Sequence, residues 1–187
     1  MNEGAGRDTC KSRLERSVAS NRTVQKMLDA IEGLGCKIPT DFLACRQCPA
    51  SISGGFIVRE GEGLKRQEYK PRIILCENAQ LEKETFEHTL IHELVHAYDQ
   101  CRAKIDWKNC LHHACTEVRA SAMSGECNLL HELFRGNTTV RNGHQECVRR
   151  RAEKSVAMNP YCKDVARDAV DVVFKECLAD LCPLASE

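Results

Sequence analysis

Cysteine constrains this chain more than any other residue type. Thirteen cysteines are spread from Cys10 to Cys182 over 187 residues. So many thiols rarely persist in a reduced cytosolic protein, whereas an oxidising compartment turns them into a cross-linked framework. A disulfide-rich fold is therefore expected. The number is odd, so at least one thiol is left free, intermolecular or available to a metal. Cys45 and Cys48 make the one Cys-x-x-Cys pair. With Cys36 and Cys76 they raise the alternative of a structural zinc site, but no second such pair completes a zinc ribbon, and disulfides are the expectation.

Composition narrows the class. Hydrophobic residues make up 42% and charged residues 29%, the balance of a chain that buries a core. Twenty-seven basic residues face twenty-seven acidic ones, so a nucleic-acid partner, which calls for a basic excess, is not expected. No apolar run is long enough to span a bilayer. The first residues are polar and lack the apolar segment of a secretory signal. An oxidised chain with such a start fits the mitochondrial intermembrane space.

Periodicity gives the coarse order of elements. Val18, Val24, Met27, Leu28 and Ile31 predict one helix over 8–33, ended by Gly33 and Gly35. Residues 36–54, rich in Cys, Pro, Ser and Gly, read as loop. Gly55–Arg59 and Pro71–Cys76 read as strands, the first a candidate edge strand to which an extended peptide could pair. A helix follows over 81–99, one or two more over 111–134, and two over 140–157 and 160–180, divided by Asn159-Pro160. Short strands, a central helix and later helices make an α+β fold. The expected division is residues 1–35 as a loosely attached N-terminal helix and 36–187 as the main domain.

The central helix carries His92-Glu93-Leu94-Val95-His96. Residues four apart lie one turn apart on one helix face, so both imidazoles can reach one zinc ion. Glu93, about 100° round the helix, is placed to take a proton from water activated by that metal. Leu90, Ile91, Leu94 and Val95 give the segment the apolar flanks of a buried helix. His88, one turn earlier, is expected to be structural or supporting.

The third metal ligand is less constrained. Asp99 shares the face of His92, but seven residues of helix rise about 10 Å, too far for one ion. Glu117, on the next helix, is the favoured ligand, with Asp99, His112 and His113 as alternatives. Tyr98, His112, His113 and Arg119 are candidate donors to a developing oxyanion. Arg149-Arg150-Arg151 reads as a solvated helix face, with anionic lipid as the functional alternative.

These residues carry a resemblance. His92 to Arg102, Asp106-Trp107, Leu111 to Ala120 and Ser124-Gly125-Glu126-Cys127 are similar to one family, and the likeness extends from about Cys36 to Cys182. It is the family of mitochondrial inner-membrane metalloproteases that mature ATP synthase subunit 6 and assist assembly of the membrane sector. The resemblance implies a zincin-like zinc endopeptidase with His92 and His96 on the metal and Glu93 catalytic. It implies a site in the intermembrane space, peripheral contact with the inner membrane, and cysteines oxidised by the import machinery of that compartment. It also implies a protein substrate, subunit 6 or a similar inner-membrane protein, and an assembly role that does not need proteolysis.

Overall fold

The computed structural model describes residues 9–49, 52–59, 70–127 and 143–185. Where one helix is expected over 8–33, there are two: α1 (Cys10–Ser20) and α2 (Arg22–Gly33). Asn21 divides them. Its backbone is extended, and its Oδ1 accepts the N–H groups of Thr23 and Val24. That is an N-cap, and it starts a new helix rather than continuing the old one. Val24, Met27 and Ile31 then point into the core at three-to-four spacing. Gly35, at φ +78°, turns the chain out of α2, a conformation that favours glycine.

Three strands follow: β1 (Leu43–Arg46), β2 (Gly54–Arg59) and β3 (Lys70–Cys76). Their order is β1-β3-β2, with β1 parallel and β2 antiparallel to β3. β1 lies inside the stretch read as loop. Leu43-Ala44-Cys45-Arg46 has no β-branched residue, so its strand state comes from pairing with Ile73–Cys76 and not from local preference.

The central helix α3 (Lys83–Ala103) extends past the expected end at residue 99. α4 (Cys110–Met123) begins at Asn109, whose Oδ1 accepts from Leu111 and His112 N–H. It ends before Ser124-Gly125; the remainder of the helices expected over 111–134 falls mostly in 128–142, outside the described residues. α5 (Gly143–Met158) and α6 (Ala166–Ala179) complete the fold, with a 3-10 turn at Lys163–Val165 between them. Among the described residues no helix is long and apolar enough to cross a membrane.

The buried apolar residues form two clusters. The first joins α1, α2, the sheet and α3 through Val24, Met27, Ile73, Leu75, Leu90 and Leu94. The second joins α4, α5 and α6 through Val118, Val148, Val156, Val170 and Phe174. Six disulfides pair twelve of the thirteen cysteines, and they divide the same way. Cys10–Cys45, Cys36–Cys101 and Cys48–Cys76 close the first half. Cys110–Cys162, Cys115–Cys177 and Cys127–Cys147 close the second. None crosses residues 104–109. Cys45 and Cys48 are bonded to different partners, which removes the thiolates that a zinc site there would need. Cys182 is the free thiol.

Candidate metal centre

The two halves meet where α3 packs on α4. His92 and His96 come from α3, in the first half, and Glu117 comes from α4, in the second. One nitrogen of each imidazole and a Glu117 oxygen lie within 4.8 Å of one another. His92 Nε2 is 3.3 Å from Glu117 Oε2, and His96 Nε2 is 3.5 Å from Glu117 Oε1. Glu117 Oε2 is buried and has no hydrogen-bond partner. Without a metal the cation nearest this oxygen is His92, at 3.3 Å.

The surroundings set the protonation of each ligand candidate. Thr116 Oγ1 donates to Asp99 Oδ2 at 2.9 Å, so its lone pairs face His96 Nδ1, also at 2.9 Å. His96 therefore carries its proton on Nδ1 and keeps a lone pair on Nε2, towards Glu117. Burial lowers the His96 pKa to about 3, so the ring is neutral. Asp99 is in turn held by Arg119 Nε at 3.1 and 3.0 Å and by Arg102.

His92 Nδ1 faces Glu126 Oε1 at 3.5 Å, and Arg151 pairs with the other oxygen of Glu126. Burial alone would lower the His92 pKa, but Glu117 and Glu126 outweigh it and raise the value, so without a metal a proton stays on this imidazole. Burial also opposes ionisation of Glu126, yet His92 and Arg151 hold that carboxyl down at about 2. Gly125 aims this carboxylate. It sits at φ +87°, and a side chain there would meet the His88 ring at 2.9 Å.

His113 stands behind Glu117. Its Nδ1 accepts from the Asn159 amide at 3.1 Å, which puts the ring proton on Nε2, 3.2 Å from Glu117 Oε1. Trp107 packs edge-on against both His96 and His113. Glu93 lies beside the ligands, almost wholly buried, and the backbone N–H of Phe56 in β2 bonds its carboxylate. Burial, with Glu117 and Glu126 adding to it, raises the Glu93 pKa to about 7 against the pull of His92 and Phe56.

The other candidates fall elsewhere. Asp99 does not join the three donors; it orients His96 through Thr116. His112 is exposed and accepts the Asp106 N–H at 3.3 Å. Arg119 cannot serve an oxyanion, because its guanidinium is spent on Asp99, Asp180 and the carbonyls of Asp180 and Cys182. Tyr98 is buried in the first core, with Arg102 over its ring. His88 packs on Gly125 and stays outside the donor group. The basic run is not merely a solvated face: Arg149 bonds Asp171 and covers Phe174, and Arg151 holds Glu126. The sequence alone assigns no role to Thr116, Glu126 or Asn159. Glu126 stood in the resembling segment Ser124–Cys127, and that was its one signal.

A cleft of about 450 Å³ opens over His92 and Glu93, between β2 and α5. Cys76 N–H donates to the Ser53 carbonyl at 2.9 Å, one step beyond the Gly54–Leu75 pair. Main-chain groups alternate along an antiparallel strand, so those of Gly55 and Ile57 face β3, and those of Gly54 and Phe56 face outward. Phe56 meets Glu93, and Gly54 lines the cleft. At Gly54 a Cβ would come within 2.9 Å of Thr89 and 3.0 Å of the Ile74 carbonyl, so glycine lets the strand lie directly on α3.

A sheet edge above a helix bearing two imidazoles and a glutamate, with a second glutamate from the next helix, defines a zincin-like metallopeptidase. The chain belongs to the peptidase M76 family, whose sequence pattern matches residues 8–185. It is 40% identical over 181 residues to the mitochondrial inner membrane protease atp23 of Schizosaccharomyces pombe, covering 95% of this chain and 91% of that one. It is 38% identical over 178 residues to the mitochondrial inner membrane protease ATP23 of Yarrowia lipolytica, covering 94% and 67%. The mitochondrial inner membrane protease ATP23 homolog of Homo sapiens is 38% identical over 174 residues, covering 91% and 67%. No solved structure matches the chain.

Proposed function

We propose that this protein is a zinc endopeptidase in which His92, His96 and Glu117 hold the metal and Glu93 is the general base. The observation that carries the reading is the convergence of His92, His96 and Glu117, whose donor atoms lie within 4.8 Å of one another, with Glu93 alongside. Two nitrogens and one oxygen are the donor set of a catalytic zinc site that keeps a position open. The metal, when bound, supplies Lewis acidity for polarising a scissile carbonyl and for making water nucleophilic near neutral pH. Glu93, buried beside the ligands, accepts a proton from that water and can return it to the leaving amine. The outward groups of Gly54 offer main-chain hydrogen bonds to an extended substrate.

The names of the relatives and the resemblance support a reading of compartment and substrate. We place the protein in the mitochondrial intermembrane space, peripheral on the inner membrane and oxidised by the import machinery there. Its proposed substrate is ATP synthase subunit 6 or a similar inner-membrane protein, and it also assists assembly of the membrane sector. Residues 36–187 form the proposed peptidase unit and residues 1–35 a proposed separate N-terminal part, of which α1 is joined to β1 through Cys10–Cys45 and α2 packs its buried face on the core.

Zinc content tests the centre. Purified protein should carry one zinc per chain, and His96→Ala should carry none. Zinc retained in His96→Ala, or missing from carefully prepared oxidised wild type, overturns the ligand assignment. The support for His96 makes a finer test. Thr116→Val removes the hydroxyl that fixes the His96 tautomer while keeping the size of the side chain. Zinc affinity, measured by competition with a chelating dye, should drop by about 10–100-fold. An unchanged affinity would mean that Thr116 has no hold on the metal.

A further inference from the structure

Arg119 is the largest fully buried side chain among the described residues, and a buried guanidinium needs its charge answered. Its Nε donates to both oxygens of Asp99, at 3.1 and 3.0 Å. Its Nη1 lies 2.7 Å from Oδ1 of Asp180, the residue that follows α6, and its Nη2 donates to the Cys182 carbonyl at 2.5 Å. Asp180 makes the turn that brings this carbonyl in, because its Oδ1 also accepts the Cys182 N–H at 3.2 Å. Arg102, in the last turn of α3, closes the circuit. Its Nη1 donates to Asp180 Oδ2 at 2.9 Å and its Nη2 to Asp99 Oδ1 at 3.3 Å. Two carboxylates and two guanidiniums thus alternate in a ring without net charge. Three elements meet in it: α3, α4 and the turn after α6. From Asp99 the ring leads through Thr116 to His96.

We propose that Asp180 is a positioning residue for the metal centre, acting on the His96 tautomer through Arg119, Asp99 and Thr116. The inference rests on the reading of His96 as a metal ligand. With Asp180 in place, the two guanidiniums divide their charge between two carboxylates, and Asp99 keeps a strong lone pair for the Thr116 hydroxyl. Without the Asp180 charge both guanidiniums act on Asp99 alone, and that lone pair is drawn away from Thr116. The hydroxyl can then turn its proton to His96 Nδ1. The ring proton moves to Nε2 and blocks the nitrogen that faces Glu117.

Asp180→Asn keeps the size of the side chain and removes the charge. Asp180 is 35% exposed and six disulfides hold the fold, so helicity should match that of wild type. In zinc-free protein at neutral pH, nitrogen NMR of isotope-labelled histidine should show Nδ1–H on His96 in wild type and a share of Nε2–H in Asp180→Asn. Arg102→Gln opens the same ring from its cationic side and should leave the Nδ1–H form in place. Zinc affinity of Asp180→Asn, by competition with a chelating dye, should fall by about 3–30-fold. In a Thr116→Val background the same substitution should change it by less than about twofold, because the path to His96 is already cut. An unmoved tautomer in Asp180→Asn overturns the proposal. So does an equal shift in Arg102→Gln, which would make the ring a structural tie that either variant loosens. An unchanged zinc affinity, or a loss that persists in full beside Thr116→Val, overturns it too. If wild type binds no zinc, the metal reading fails by itself, and the tautomer measurement still decides whether Asp180 sets the His96 proton.

Discussion

Glu93→Gln should abolish peptide hydrolysis while leaving zinc in place. Removing a general base costs about 10²–10⁴-fold, and the residual rate should sit near the lower limit of detection. His92, His96 and Glu117 are untouched, so zinc content should stay at one per chain. Equal activity in the variant would sink the assignment of Glu93 as base. In cells the same substitution should stop substrate processing yet leave ATP synthase assembly intact, which separates the two proposed roles.

The same variant should also be more stable, and the pH dependence has a definite sign. The Glu93 pKa is raised from 4.5 to about 7 in the metal-free fold, chiefly by burial. The folded state therefore favours the protonated acid. Relative to Gln, wild type carries no penalty below pH 4.5, gains one as pH rises through 7, and bears all of it above. At pH 8 the metal-free variant should exceed wild type by up to about 3 kcal/mol in unfolding free energy. Gln can still accept the Phe56 N–H. Denaturant titrations at pH 5 and pH 8 would show the gap open, and an equal gap at both would contradict the buried-carboxylate account.

Full reduction of the disulfides should unfold the protein. The bonds span separations from 20 residues (Cys127–Cys147) to 65 residues (Cys36–Cys101). Each closes a loop worth about 3–4 kcal/mol of unfolded-chain entropy, against about 5–15 kcal/mol for the stability of a whole domain. Even with strongly overlapping loops, six such bonds outweigh that total. Far-UV circular dichroism in strong reductant at 37 °C should lose most of its helical signal, and zinc should be released. A chelator without reductant should leave the helicity largely intact. A reduced chain that melts at the same temperature would show that the cores alone suffice.

The sequence revealed what is periodic and local. The α3 pattern placed His92, Glu93 and His96 on one buried helix, and Pro71–Cys76 announced itself by β-branched residues. The break at Asn21 was also local, but the apolar period continues across it and hides the cap. β1 was hidden because its strand state depends on a partner 30 residues away. The support of the centre was least legible. Asp99, Thr116 and Arg119 look like an acid, a small polar residue and a base on two amphipathic helices. Only their packing makes them a chain that sets one imidazole proton. Arg151 looked solvated because its partner, Glu126, is brought near by the left-handed turn at Gly125.

The division of the disulfides has a consequence for how the site is assembled. Each half is closed by its own three bridges, and no bridge joins them. The three donor atoms come from both halves, so the site joins two separately cross-linked units that are held together by the packing of α3 on α4 and by no covalent bridge.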